Sequence, residues 1–139
     1  MTLLNDDRKE LEHYIRELAD LMGLRDWTLT MRDDPASEDC AADIQVTYGR
    51  KFAAIRFDPA WASESPETLR ATCIHELLHC HLKPTEWALN NAQSALGMVA
   101  FSVLSGAYED ALEVAIDGIA NEWAKTLPLP LREEQQKAA

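Results

Sequence analysis

The apolar positions near the amino terminus recur with the period of an α-helix. Residues 5–22 are predicted as an amphipathic helix, with Asn5 as its N-cap and Gly23 directly after its last turn. The predicted buried face consists of Leu11, Tyr14, Ile15, Leu18, Leu21 and Met22. A helix with one apolar stripe has to bury that stripe against another element. We therefore expect the segments that follow to supply the rest of the core.

Three segments then alternate apolar and polar residues, which is typical of strands with one buried face. They are residues 27–31, 43–48 and 51–57. The polar segment 33–39 contains a proline and is predicted as a loop, and Gly49 with Arg50 is predicted as a tight turn. Residues 58–65 form a second predicted loop.

Helical patterning returns after this loop. Ser65 as N-cap and Pro66 in the first turn predict a helix that ends at Lys83 and Pro84. Two more helices are predicted from the apolar pattern, and they span residues 87–105 and 106–125. One helix, three strands and then helices make an α+β fold. Residues 1–127 are expected to form one domain, and 128–139 a flexible carboxyl-terminal tail.

Composition and charge argue against some classes of function. The net charge of −11 argues against nucleic-acid binding, which needs clustered Lys and Arg. The chain shows no secretory leader and no apolar segment long enough to cross a bilayer, so a cytoplasmic protein without membrane contact is expected. An odd number of cysteines, three, fits reduced thiols. The segment 87–105 is more apolar than one buried face needs, which suggests a possible homodimer contact.

The candidate chemistry lies in the run from His75 to His79, which reads His-Glu-Leu-Leu-His. Helical residues four apart share one face, so His75 and His79 can converge on one metal ion. Glu76 lies about 100° further round and can reach a water molecule beside the metal. The pattern predicts two ligands and a general base, and it leaves a third ligand to be found.

Acidic residues in the last predicted helix offer that ligand. Glu109, Glu113 and Asp117 are four residues apart and line one stripe. Glu113 is the expected ligand and Glu109 the alternative, while Asp117 is expected to accept the free N–H of a ligating histidine. The competing interpretation is a solvated acidic stripe, with His75 and His79 structural and no metal bound.

The motif and this acidic helix together resemble the zincin metallopeptidases. Within them, His75-Glu76-x-x-His79 with Glu113-x-x-x-Asp117 resembles the gluzincins. Leu82 and Thr85 stand where metzincins carry a glycine and a third histidine, so that class is excluded. The small size is similar to minimal gluzincins and to zincin domains of phages and mobile elements. His81 departs from the family pattern, which usually has a hydrophobic residue there.

The resemblance implies a zinc metallopeptidase. It implies that Zn²⁺ is bound by His75, His79 and Glu113, and that Glu76 acts as the base for a metal-activated water. It also implies a strand beside the cleft that binds extended substrate, for which Ala53, Ala54 and Ile55 are the candidates. A protein or peptide substrate is expected, cleaved by an endopeptidase rather than an exopeptidase. The alternative is a zinc-binding regulatory or structural protein of the same fold without proteolytic activity.

Overall fold

The computed structural model describes residues 2–130, with side chains from Asp7 onward, and shows the expected α+β fold. The helices are α1 (Thr2–Leu21), α2 (Pro66–Asn91), α3 (Gln93–Leu96) and α4 (Met98–Ala124). The strands are β1 (Thr28–Met31), β2 (Ala42–Thr47) and β3 (Phe52–Phe57), and a short 3₁₀ helix, Pro59–Ser63, follows β3. The tail predicted from residue 128 lies outside the described residues from 131 onward.

The three strands form one sheet in the order β1-β3-β2. β3 pairs with β1 in parallel and with β2 in antiparallel orientation, so both of its edges are occupied. The expectation that Ala53, Ala54 and Ile55 bind substrate as an edge strand is therefore wrong. Ala53 is fully buried and Ile55 nearly so, because β3 runs through the centre of the sheet. The hydrophobic pattern identifies a strand, but it does not reveal which strand takes the centre.

The core lies between the sheet, α1 and α2. The face of α1 predicted to be buried is buried, with one exception: Leu21 is 58% exposed. Ala19 takes its place in the core, and Gly23 follows the helix with a positive φ of 81°, a conformation that glycine adopts without strain. α1 begins at Thr2, so the predicted cap at Asn5 is wrong.

α2 begins as predicted and ends later than predicted. The Ser65 hydroxyl accepts a hydrogen bond from the Thr68 amide at 3.1 Å, and Pro66 occupies the first turn. Pro84 lies inside the helix, which continues to Asn91, so the predicted end at Lys83 and Pro84 is wrong. Proline removes only one intrahelical hydrogen bond, and the packing of the helix outweighs that loss.

The helices predicted at 87–105 and 106–125 are divided differently in the structure. Residues 87–91 are the end of α2, and the chain turns through α3 and Gly97, whose φ is 78°. From Met98 a single helix, α4, runs to Ala124 without a break at Gly106. α4 packs along α2, and Tyr108 and Thr85 are joined by a hydrogen bond between their hydroxyl groups.

The last described residues are held by hydrogen bonds to side chains of α1 and α2. The Tyr14 hydroxyl donates to the Pro128 carbonyl at 2.8 Å, and an Arg70 N–H donates to the Leu127 carbonyl at 3.0 Å. Among residues 2–130, no helix has both the length and the apolar character that crossing a membrane requires.

Candidate metal centre

α2 presents the two histidines on the side of the helix that faces α4. His75 and His79 are one turn apart, and their ring centroids lie 5.3 Å from each other. The same helix is anchored in the core by four buried residues, Leu69, Cys73, Leu77 and Leu78. The core packing of α2 therefore fixes the direction in which both imidazoles point.

α4 brings Glu113 against both imidazoles. Its Oε2 lies 3.0 Å from His75 Nε2, and its Oε1 lies 3.3 Å from His79 Nε2. One ligand atom from each of these three residues lies within 4.8 Å of the others. Donor atoms that bind one tetrahedral Zn²⁺ at about 2.0–2.1 Å lie about 3.3 Å apart, so these separations suit a single ion.

The proton on His75 is placed by Asp117. The His75 Nδ1 atom lies 2.8 Å from Asp117 Oδ1, and an ionised carboxylate can only accept a hydrogen bond. Nδ1 therefore carries the proton and donates it, which leaves Nε2 of a neutral ring with a lone pair directed at Glu113. Two acceptors at 3.0 Å repel each other unless a proton or a cation lies between them.

His79 strengthens the case for a cation. Its pKa is lowered, chiefly because burial disfavours the charged imidazolium, although the Glu113 charge opposes this. A neutral His79 offers a nitrogen lone pair to a cation at this point when its proton lies on Nδ1. Two imidazole nitrogens and one carboxylate oxygen around a common point make a donor set that could hold a divalent metal ion.

Glu76 is the single buried charged residue among the described side chains, with 7% of its surface exposed. Burial, and then the charges of Glu113 and Asp43, raise its pKa to about 8. A bound divalent cation would stabilise the carboxylate and oppose this shift. Glu76 is thus buried beside the two histidines, and its protonation depends strongly on the charges of its neighbours.

A groove of about 520 Å³ runs past this cluster, between β2, α2 and α4. Its walls include the two histidines, Glu76, Glu113 and Asp117 from the helices, and Ala42, Asp43 and Ile44 from β2. Within residues 2–130, no strand pairs with the outer edge of β2. The metal cluster and an open strand edge therefore share one groove.

The backbone of β2 offers free hydrogen-bonding groups along that edge. The Lys51 and Ile55 carbonyls accept hydrogen bonds from the β1 segment, so odd-numbered residues of β3 turn toward β1 and even-numbered ones toward β2. In the register of the antiparallel pair, the odd-numbered residues of β2 lie opposite the even-numbered residues of β3 and exchange hydrogen bonds with them. Ala42 and Ile44 therefore turn their N–H and C=O groups away from β3, toward the groove.

Other residues considered from the sequence lie outside the cluster. Glu109 is exposed and contributes no atom to the group of three ligands. His81 points toward α1, where its Nε2 lies 2.6 Å from the Met22 carbonyl. Cys80 is buried in the core, and burial raises the pKa of its thiol to about 12, which disfavours the thiolate that metals bind.

Sequence reasoning missed two side chains of the groove. Asn121 continues the spacing of Glu113 and Asp117 by one more turn, and that periodicity would have indicated it. Asp43 lies on β2 and binds Arg56 through two hydrogen bonds of 2.7 Å. Its place in the groove depends on the strand order, which no local pattern reveals.

Comparisons with models of known protein families, with curated proteins and with solved structures found no match for this chain.

Proposed function

We propose that the protein is a zinc-dependent metallopeptidase. The observation that supports this most directly is the convergence of His75, His79 and Glu113, whose ligand atoms lie within 4.8 Å of one another. Local spacing alone brings the two histidines together. Glu113 comes from a separate helix, so its position between both imidazoles supports a common ligand role.

Each residue of the cluster has a separate part in the proposal. The two histidines and Glu113 hold the ion, and Asp117 keeps His75 in the tautomer whose Nε2 lone pair is free to bind. When bound by these residues, zinc would supply a Lewis acid for the peptide carbonyl and a water molecule whose pKa is lowered to about 7. Glu76 takes one proton from the attacking water and delivers a proton to the amine that leaves.

The outer edge of β2 is the proposed substrate strand. Ala42 and Ile44 direct backbone N–H and C=O groups into the groove, and an extended peptide can pair with them as a further strand. Backbone pairing recognises an extended segment of the substrate and does not require a chain terminus. This favours an endopeptidase acting on proteins or peptides.

A second candidate is a zinc-binding regulatory or structural protein without proteolytic activity. Among residues 2–130, those that line the groove include no Tyr, Arg or Lys that could stabilise the oxyanion of the tetrahedral intermediate. Asn121 is the amide side chain there, and it is exposed. Under this alternative the zinc site remains and the hydrolytic step is absent.

The cytoplasmic setting expected from the sequence remains part of the proposal. Cys73 and Cys80 are buried and Cys40 is exposed, and none of the three forms a disulfide. Free thiols suit a reducing compartment.

The test combines metal analysis with digestion of a peptide library. We expect one zinc per chain in the purified protein, and cleavage products detected by mass spectrometry after zinc is supplied. His79→Ala should lose both the zinc and the cleavage. Stoichiometric zinc without cleavage of any peptide would support the non-proteolytic alternative, and no zinc uptake at micromolar concentration would reject both.

A further inference from the structure

The first half of α4 exposes apolar side chains that nothing within residues 2–130 covers. Met98 is 85% exposed, Val99 79% and Val103 71%. Val99, Val103 and Gly106 are spaced four and three residues apart, so they lie on one face of the helix. We call the exposed surface that residues 98–107 of α4 form the uncharged face. A contiguous apolar surface of this kind marks an interaction site.

Charge indicates what would cover this face. Residues 87–108 contain no charged residue, whereas a segment of that length at average composition carries about six. The net charge of the chain is −11, so two copies that meet through most of their surface repel each other. The uncharged face is where two copies can approach without that repulsion. A basic partner would instead favour the acidic surface.

Gly106 lies on this face and allows a second helix to approach closely. Glycine inside a helix costs about 0.8–1.0 kcal/mol relative to alanine. Among the described residues, no atom lies within 4 Å of the position that its Cβ would take. The fold of one copy therefore does not require glycine there. A second helix packed closely against this position would require a small residue.

We propose that the uncharged face binds a second copy of the chain, with the two α4 helices antiparallel around a two-fold axis near Val103. In this arrangement Asp110 of each copy comes level with Leu96 of the other. It then lies beside the amino-terminal turn of α4, where Gly97 provides no side-chain cap. A carboxylate at a helix amino terminus is stabilising. The pairing is thus complementary in charge.

The dimer is expected to dissociate on dilution. Stable interfaces bury roughly 800 Å² on each partner, and contact along half of one helix buries less than that. The proposal does not depend on the zinc site, because Glu113 and Asp117 lie beyond the contact. Its outcome is therefore distinguishable from that of the peptidase proposal.

Sedimentation velocity in reducing buffer tests the proposal over a wide range of protein concentration. The reductant removes any disulfide through the exposed Cys40. We expect the full chain to shift from monomer to dimer as its concentration rises. Val103→Glu should weaken the dimer at least about tenfold, since two like charges would meet at the axis. Leu21→Glu, the same change of charge at an exposed leucine of α1, should dimerise like the wild type.

Cross-linking provides a second readout. In a Cys40→Ser background, Val103→Cys should form an intermolecular disulfide on mild oxidation, because a residue at the two-fold axis meets itself within about 7 Å. Leu21→Cys in the same background should not. A wild-type chain that stays monomeric overturns the proposal and leaves the face to a different partner. Undiminished dimerisation of Val103→Glu, loss of the dimer in Leu21→Glu, or an assembly larger than a dimer also overturns it.

Discussion

The Nδ1 atom of His75 lies 2.8 Å from the Oδ1 atom of Asp117, a residue 42 positions later in the chain. The same imidazole faces Glu113 through its other nitrogen at 3.0 Å. One side of the ring is therefore fixed by a hydrogen bond and the other is directed at the candidate ligand. This arrangement separates the role of Asp117 from that of Glu113, and the difference is measurable.

Asp117→Ala should weaken zinc binding without abolishing it. Partners that orient a metal-bound histidine typically contribute a factor of about 10–100 in affinity. We expect the zinc dissociation constant to rise by that factor, while one zinc per chain still binds at saturation. Competition against a coloured chelator measures the constant, and Glu113→Ala should lose stoichiometric binding in the same assay.

Glu109→Ala is the matched control for both variants. Glu109 is an exposed acid on the same helix, one turn before Glu113, and it lies outside the group of three ligands. Its removal changes the net charge equally and should leave the zinc dissociation constant unchanged. Loss of zinc in Glu109→Ala, with binding retained in Glu113→Ala, would exchange the two assignments.

The spacing within each helix predicts part of this cluster, because that information is local. His75 and His79 share a face through the four-residue spacing of one helix, and Glu113 and Asp117 share a face in the same way. What spacing could not supply was the alignment of the two helices. Their antiparallel packing brings Glu113, rather than Glu109, level with both imidazoles.

Glu76→Gln should separate metal binding from catalysis. The amide is almost the same size as the carboxylate, but it cannot accept a proton, so zinc should be retained while peptidase activity falls by about 10²–10⁴-fold. Zinc analysis and cleavage of a peptide identified from the library measure the two effects. Full activity with retained zinc would exclude Glu76 as the base.

Ala42→Pro should impair substrate binding more than folding. Ala42 is the first residue of β2, a position where proline is tolerated, and its N–H faces the groove rather than β3. We expect kcat/KM to fall at least about tenfold as one backbone hydrogen bond to the substrate is lost. Ala42→Gly keeps the N–H and should retain activity. Equal losses in the two variants would argue against pairing at this edge.

The outer edge of β2 illustrates what local sequence patterns do not reveal. β2 and β3 both alternate apolar and polar residues, so pattern alone did not show that β3 is central and β2 exposed along one side. The parallel pairing of β1 with β3 decides this order, and it joins residues far apart in the chain. Ala53, Ala54 and Ile55 have small or apolar side chains, which the position of β3 at the centre of the sheet explains equally well.

Pro84→Ala should stabilise the protein. Pro84 lies inside α2 and has no N–H to donate to the Cys80 carbonyl, a loss that costs up to about 3 kcal/mol in a helix interior. We expect the free energy of unfolding in urea to rise by at least about 1 kcal/mol. Lys83→Ala, one residue earlier, restores no backbone bond and should change it by less than about 0.5 kcal/mol. A destabilised Pro84→Ala would mean that the packing of α2 requires the proline.

The pair of Asp43 and Arg56 predicts a specific pH dependence of stability. Hydrogen bonds from the Arg56 side chain, the largest cause, lower the pKa of Asp43 from 3.8 to about 2. A carboxyl group whose pKa is lower in the folded state stabilises the fold above its unfolded pKa. That contribution is lost as the pH falls from about 4 toward 2. Because Asp43 retains 27% side-chain exposure, we expect about 1–2 kcal/mol at neutral pH.

Asp43→Asn should therefore destabilise the protein at pH 7, and its difference from the wild type should shrink below pH 4. Urea unfolding of chelator-treated protein measures this without a contribution from metal release. Arg56→Gln is the partner in a double-mutant cycle, and Asp43→Asn should have little further effect in that background. A difference between Asp43→Asn and the wild type that stays constant as the pH falls from 7 to 3 would show that the ion pair does not stabilise the fold.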